Sequence, residues 1–233
     1  MVSIPPTHVG RSVLWGGLLI AVGAVQFVVA NAWVQTRYAG YSLLTNYISD
    51  LGNTSTSPLH IVFNISIILL GVLAFVGILL AWGGFPRGGS RVVGLFLLLI
   101  ASVAAILVGL FLLLIASVAA ILVGLFPENV NGTVHDTASL LVFLPAGLAL
   151  VIVSNGMKPG TMWFGYRAFT LILGLVVLFS LAYYAPTQTF STTWDPGLIE
   201  RLIVYPILLW AVVVGIHLAR MPRFSPSGKP APA

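Results

Sequence analysis

The sequence predicts an all-α integral membrane protein: a bundle of six transmembrane helices with both termini cytoplasmic. Three observations carry that expectation. Of 233 residues, 59% are hydrophobic and 6% charged, against about 25% charged in an ordinary soluble domain; the mean hydropathy is +1.08. The apolar residues fall in continuous runs long enough to cross a hydrocarbon core of about 30 Å at about 1.5 Å per helical residue, not in the alternation of a barrel strand. The charged residues lie at the ends of those runs.

Residues 1–11 form a short cytoplasmic tail, and residues 12–219 a single transmembrane domain. The first run, Ser12 to Val34, passes Ala30-Asn31-Ala32, which mimics a signal-peptidase site. Signal peptides have apolar cores of about 7–15 residues, so this longer run is expected to be an uncleaved helix. A polar stretch from Gln35 to Ser57 follows, and within it YSLLTNYISDLGN predicts a short interfacial amphipathic helix. Ser42, Thr45, Asn46, Ser49 and Asn53 share a polar stripe opposite Leu44, Tyr47, Ile48 and Leu51; Asp50 borders the stripe, and Gly52 is placed to end the helix.

The second crossing runs from Pro58 to Trp82, with Ser57 as the expected N-cap and Pro58 at the first helical position. A tight basic turn follows, built from Gly83, Gly84, Pro86, Gly88 and Gly89 with Arg87 and Arg91. The third run, Val92 to Phe126, is stopped by Pro127. After PENVNGTVHD come the fourth run, Thr137 to Val153, a loop with Lys158, the fifth run, Met162 to Tyr184, and the sixth, Gly197 to Ala219. Asp195 before Pro196 is the expected N-cap of the sixth, as Thr133 with Asp136 is of the fourth. Residues 220–233 are a basic, Pro-rich tail expected to be disordered.

The third run contains VGLFLLLIASVAAIL twice without a change, at 93–107 and 108–122. Charge placement decides whether this is one crossing or two. With one crossing, Arg11, Arg87, Arg91, Lys158, Arg167, Arg220, Arg223 and Lys229 share one side with no acid, while Asp50, Glu128, Asp136, Asp195 and Glu200 share the other with Arg37 and Arg201. That is the positive-inside distribution; two crossings destroy it. A hairpin at AAILVGLFL would also leave backbone groups unpaired in lipid. The run is therefore expected to be one overlong third helix, about 52 Å long where a single copy gives about 30 Å. Identity at every repeated position marks a recent tandem duplication or an assembly error more than a purposeful long helix.

The side rich in acids holds the candidate site. Asn46, Ser49, Asp50, Glu128, His135, Glu200, Arg201 and Tyr205 form the expected polar cluster. Glu200 and Arg201 fall one to two turns inside the sixth helix, where charge needs a partner or water. As neighbours i and i+1 they do not face each other, so each wants a partner elsewhere, Asp50 or Glu128 in the case of Arg201. Two classes of function are open. The first is a non-enzymatic membrane protein whose polar cluster organises the bundle or binds a lipid headgroup or small partner. The alternative is a membrane-embedded hydrolase with Asp50 or Glu200 as general base and His60 and His135 as metal ligands. A transporter is disfavoured, because the middle of every run lacks an ionisable residue and transport sites lie near the midplane. With no cysteine there is neither a disulfide nor a thiol nucleophile. The net charge of +5 is spread over run ends, so the expected partners are membrane lipids and not nucleic acid, and the expected location is the cell membrane. His217 reads as an interfacial side chain, His8 as part of the tail. Asn53-Thr54-Ser55 and Asn131-Gly132-Thr133 match the N-glycosylation pattern.

Three stretches, YSLLTNYISDLG at 41–52, VGLFPEN at 123–129 with His135 following, and GLIERLIVYPILLW at 197–210, resemble a prokaryotic family of six-helix membrane proteins known as domain of unknown function 998. The resemblance covers residues 12–219. Its motif positions fall on Asn46, Ser49, Asp50, Gly52, Phe126, Pro127, Glu128, His135, Glu200, Arg201 and Tyr205, and it implies the six-helix fold without a settled activity. The doubled third helix departs from the pattern. ISDLG and His135 are also distantly similar to the eukaryotic autophagy-modulator membrane family, whose roles concern lipid and trafficking.

Overall fold

The structure, a computed structural model, describes residues 10–86, 88–103, 132–187 and 195–221, with the backbone alone at helical positions 132–138 and 185–187. Among the described residues there are helices and turns and no strand. The helices are α1 (Arg11–Arg37), α2 (His60–Ala81), α3 (Gly89–Val103), α4 (Gly132–Gly156), α5 (Arg167–Thr187) and α6 (Pro196–Ala219). All but α3, as far as it is described, are long and apolar enough to cross a membrane. Large apolar side chains on their outer faces stay open, Phe179 at 72% and Val29 at 62% exposure, as lipid-facing positions require.

Water-driven burial does not hold such helices together, so close backbone approach has to. Gly16 of α1 lies against Gly77 and Ala81 of α2, and Gly17 against Gly215 and Ala219 of α6. A Cβ at Gly17 would stand 2.5 Å from the Gly215 carbonyl oxygen. The same contacts set direction: the start of α1 meets the ends of α2 and α6. Gly94 packs on Val153 and Gly156 on Ser90, so α3 and α4 are antiparallel; Gly147 on Val177 and Gly174 on Leu150 make α4 and α5 antiparallel. Trp210 Nε1 donates to Thr170 Oγ1 at 3.2 Å, tying the start of α5 to the far half of α6.

The bundle therefore has two ends. At one, the turn end, sit Arg11, Arg91, Lys158, Arg167 and Arg220; at the other, the loop end, Arg37, Asp50, Asp195, Glu200 and Arg201. The turn end is closed by stacked aromatics: Phe85 lies 5.7 Å from Trp163 and 6.4 Å from Trp210, and Trp163 Nε1 donates to the Gly84 carbonyl at 3.1 Å. His217 fills the same cluster, with ring centroids 4.6 Å from Trp163 and 4.5 Å from Tyr166.

Two sequence expectations need correction here. Residues 41–53 do not form an amphipathic α-helix; they form turns followed by a short 3-10 helix, Ser49–Gly52. The polar residues that read as a stripe bind the backbone instead, which is how Ser, Asn and Asp compete with helix formation. Asn46 Oδ1 accepts the Ser42 amide at 3.0 Å, Ser42 Oγ accepts those of Leu44 at 3.3 Å and Thr45 at 3.4 Å, and Asp50 Oδ2 accepts that of Tyr47 at 2.9 Å. Of the expected apolar face, Ile48 and Leu51 go inward, buried beside Val34, Phe63 and Val204, whereas Leu44 is 51% exposed. The second correction is at α2, which begins at His60 with Leu59 in the cap position and no side-chain cap bond, so Ser57 is not its N-cap. The Ser57 carbonyl instead accepts the His60 amide at 3.3 Å.

The overlong third helix lies, beyond Val103, outside the described residues, as do most of the repeat, Glu128 and the side chains of Thr133, His135 and Asp136.

Candidate functional site

The loop end is organised around the first two turns of α6. Pro196 occupies the start of the helix with Asp195 at the cap position, although the Asp195 side chain makes no cap bond. Gly197 comes next, and only glycine fits there: a Cβ would press on the carbonyl oxygens of Asn46 and Leu44. That closeness lets the Leu198 amide donate to the Leu44 carbonyl at 3.2 Å.

One turn further on, Arg201 is 7% exposed. Nη1 donates to the Asn46 carbonyl at 3.0 Å and to the Gly197 carbonyl at 2.8 Å, and Nη2 to Tyr41 Oη at 2.7 Å. Its guanidinium carbon stands 5.6 Å from the Tyr41 ring centre, within cation-π range. Nε is buried without a partner. Glu200 reaches another part of the loop, where its carboxylate accepts the Ile48 amide. The neighbouring pair thus spreads over the loop from Tyr41 to Ile48 without the two residues facing each other.

The loop closes on itself around these contacts. Tyr41 Oη donates to the Tyr47 carbonyl at 2.9 Å while accepting from Arg201, and Asn46 Nδ2 donates to Asp50 Oδ2 at 3.2 Å. Burial pushes the Tyr41 phenol up to about 12; Arg201 pulls against that, and the Glu200 and Asp50 charges add to it. Tyr41 therefore remains a neutral donor at any ordinary pH.

Of the sequence-expected residues, Asn46, Asp50, Glu200 and Arg201 come together. Ser49 sits in the 3-10 helix beside them, and Tyr205, one turn beyond Arg201, is 38% exposed on the outer face of α6. The partner expected for Arg201 was Asp50 or Glu128; the partners it has are two main-chain carbonyls and a phenol, while Asp50 serves the loop backbone. Tyr41 and Gly197 were missed. Both stand in the motifs that carried the family resemblance, but neither bears a charge to draw attention. His60 lies apart from the cluster, with Nδ1 2.9 Å from the Ser57 carbonyl. Among the described residues no three His, Asp or Glu side chains gather to hold a metal; the pairing of His60 with His135 involves a side chain outside them.

Five apolar membrane-length helices among the described residues and a polar, loop-closing end define a multi-pass helical integral membrane protein. Comparison with known proteins narrows this to a family. The chain belongs to the family described as "Protein of unknown function (DUF998)", whose sequence profile matches residues 21–217. Neither the curated proteins nor the solved structures contain a match.

Proposed function

We propose that this chain is a non-enzymatic protein of the cell membrane with both termini cytoplasmic. In this reading Glu200 and Arg201 clasp the α1–α2 loop over the outer end of the bundle. The observation that carries it is the use of Arg201: three of its hydrogen bonds go to Asn46, Gly197 and Tyr41, so its donors hold the chain rather than face a cleft. The carboxylates behave alike, Glu200 taking the Ile48 amide and Asp50 the Tyr47 amide. Both carboxylates thereby serve the loop's own backbone.

Orientation follows from charge. Five described cations and no described acid occupy the turn end, which supports a cytoplasmic position for that end. The antiparallel run of α3 and α4 also supports an even number of further passages, zero in the simplest case, between their described parts, the parity of a six-crossing bundle.

The chain has no cysteine, so single-cysteine variants test the orientation directly. Thr56→Cys should react with a membrane-impermeant maleimide on intact cells, and Lys158→Cys only after permeabilisation; the reverse pattern overturns it. The non-catalytic clasp is tested by Glu200→Ala in purified protein. The expected result is a chain that unfolds earlier in detergent; a variant as stable as the parent contradicts the clasp.

A further inference from the structure

Between the end of α1 and the start of α2 lies a shallow depression of about 440 Å³ whose lining includes none of the clasp residues. Ligand pockets run to about 300–1,000 Å³, so this one has room for a small headgroup. Its walls are Arg37, Ala39, the run Thr54 to Pro58, and His60. No acid lines it. Arg37, in the last turn of α1, is exposed, and its guanidinium makes no bond among the described residues. Thr54, Ser55, Thr56 and Ser57 bring four hydroxyl groups in succession. Ser57 is 2% exposed, and its Oγ has no hydrogen-bond partner; a buried hydroxyl left in that state calls for an explanation. His60 fixes its ring through Nδ1 on the Ser57 carbonyl at 2.9 Å, leaving Nε2 available.

Helix α2 starts at this wall with no side-chain cap and no acid in its first turn; its His60 and Val62 amides bond the Ser57 and Leu59 carbonyls, and the positive end of its dipole adds to the field of Arg37. A free cation and the exposed Ser55 and Thr56 hydroxyls, with the unpartnered Ser57 hydroxyl buried beneath them, suit a compact oxyanion with many acceptor atoms. Exposed apolar side chains follow the depression's walls along both helices: Trp33, 52% exposed, lies one turn before Arg37 on α1, and Ile61 and Ile65, 54% and 47% exposed, come after His60 on α2.

We infer that the depression lined by Arg37, Ser57 and His60 binds a phosphate group, presented by an anionic phospholipid whose acyl chains lie along Trp33, Ile61 and Ile65. Arg37 supplies the charge and the planar donors that suit phosphate, and the hydroxyl run the remaining hydrogen bonds. The clasp plays no part in this recognition, so loss of one leaves the other testable.

The test is native mass spectrometry of the full chain from detergent, titrated separately with phosphatidylglycerol, phosphatidylcholine and inorganic phosphate. The parent should bind phosphatidylglycerol at least tenfold more tightly than phosphatidylcholine. Arg37→Gln should abolish that preference, and Ser57→Ala should reduce it. Arg220→Gln, at the opposite end, should keep it. Phosphate that displaces phosphatidylglycerol from the parent but not from Arg37→Gln supports the same site with a soluble phosphate as its source. Equal binding of the two lipids by the parent, or a preference unchanged in Arg37→Gln, overturns the inference. Because Arg37 is exposed and unbonded, its replacement leaves the fold intact, which the unfolding midpoint of the variant verifies.

Discussion

Arg201→Ala is the most informative single change, since it removes three hydrogen bonds made by one buried guanidinium. Hydrogen bonds that involve a charged group contribute about 1.5–3 kcal/mol each. Three at the lower figure give about 4.5 kcal/mol, an upper value because water entering the vacated space restores part of what the Asn46 carbonyl and Tyr41 lose. An expected loss of about 3 kcal/mol remains, which at about 2–4 °C per kcal/mol for a chain of this size is roughly 6–12 °C. The assay is thermal unfolding of the purified protein in detergent, followed by tryptophan fluorescence. Arg201→Lys belongs beside it: an ammonium is a point charge on a flexible stem and cannot span the Asn46 carbonyl and Tyr41 Oη together, so it should recover about a third of the loss at most. Arg201→Ala within about 0.5 kcal/mol of the parent, the range of an inconsequential surface change, refutes the reasoning.

Other outcomes follow from other parts of the bundle. Gly17→Ala should cost about 1–3 kcal/mol by overpacking against the Gly215 carbonyl, whereas Gly83→Ala, with nothing within 4 Å of the new methyl, should be neutral in the same melt. The Tyr41 phenol, raised from 10.0 to about 12, stays protonated in the folded chain where the unfolded chain ionises it. Its contribution is thus present in full below pH 10 and lost as the pH rises through about 12. A phenolate absorbance titration should show a last step near pH 12 that Tyr41→Phe removes; an unchanged titration would sink the assignment. A chain lacking residues 108–122 should insert and fold at least as well as the parent, measured by yield of monodisperse protein, because one copy of the repeat already matches about 30 Å of hydrocarbon.

The crossings were legible because membrane solvation leaves a strong mark: runs Ser12 to Val34 and Gly197 to Ala219 became Arg11–Arg37 and Pro196–Ala219 with only small shifts. The loop was legible in content but not in conformation. Its period of three and four placed Ile48 and Leu51 inward, yet the Ser42, Asn46 and Asp50 side chains captured backbone amides that a helix would have used. A periodicity count does not weigh that competition. Arg201 drew attention as a charge inside an apolar run, but two of its three partners are main-chain carbonyls, which have no signature in a sequence, and the third is the uncharged Tyr41 phenol. Gly197 shows the same limit, since its meaning rests on the approach of the Leu44 and Asn46 carbonyls from a segment far away in the chain.

Site-resolved hydrogen exchange of the loop tests the central claim, the clasp of α6 on residues 41–53, most directly. The parent should protect the loop amides of Tyr47 and Ile48, which bond the Asp50 and Glu200 carboxylates. Arg201→Ala should release both while the Gly17–Gly215 crossing stays protected. A loop that exchanges at unprotected rates in the parent, or one whose protection survives Arg201→Ala, would contradict the account.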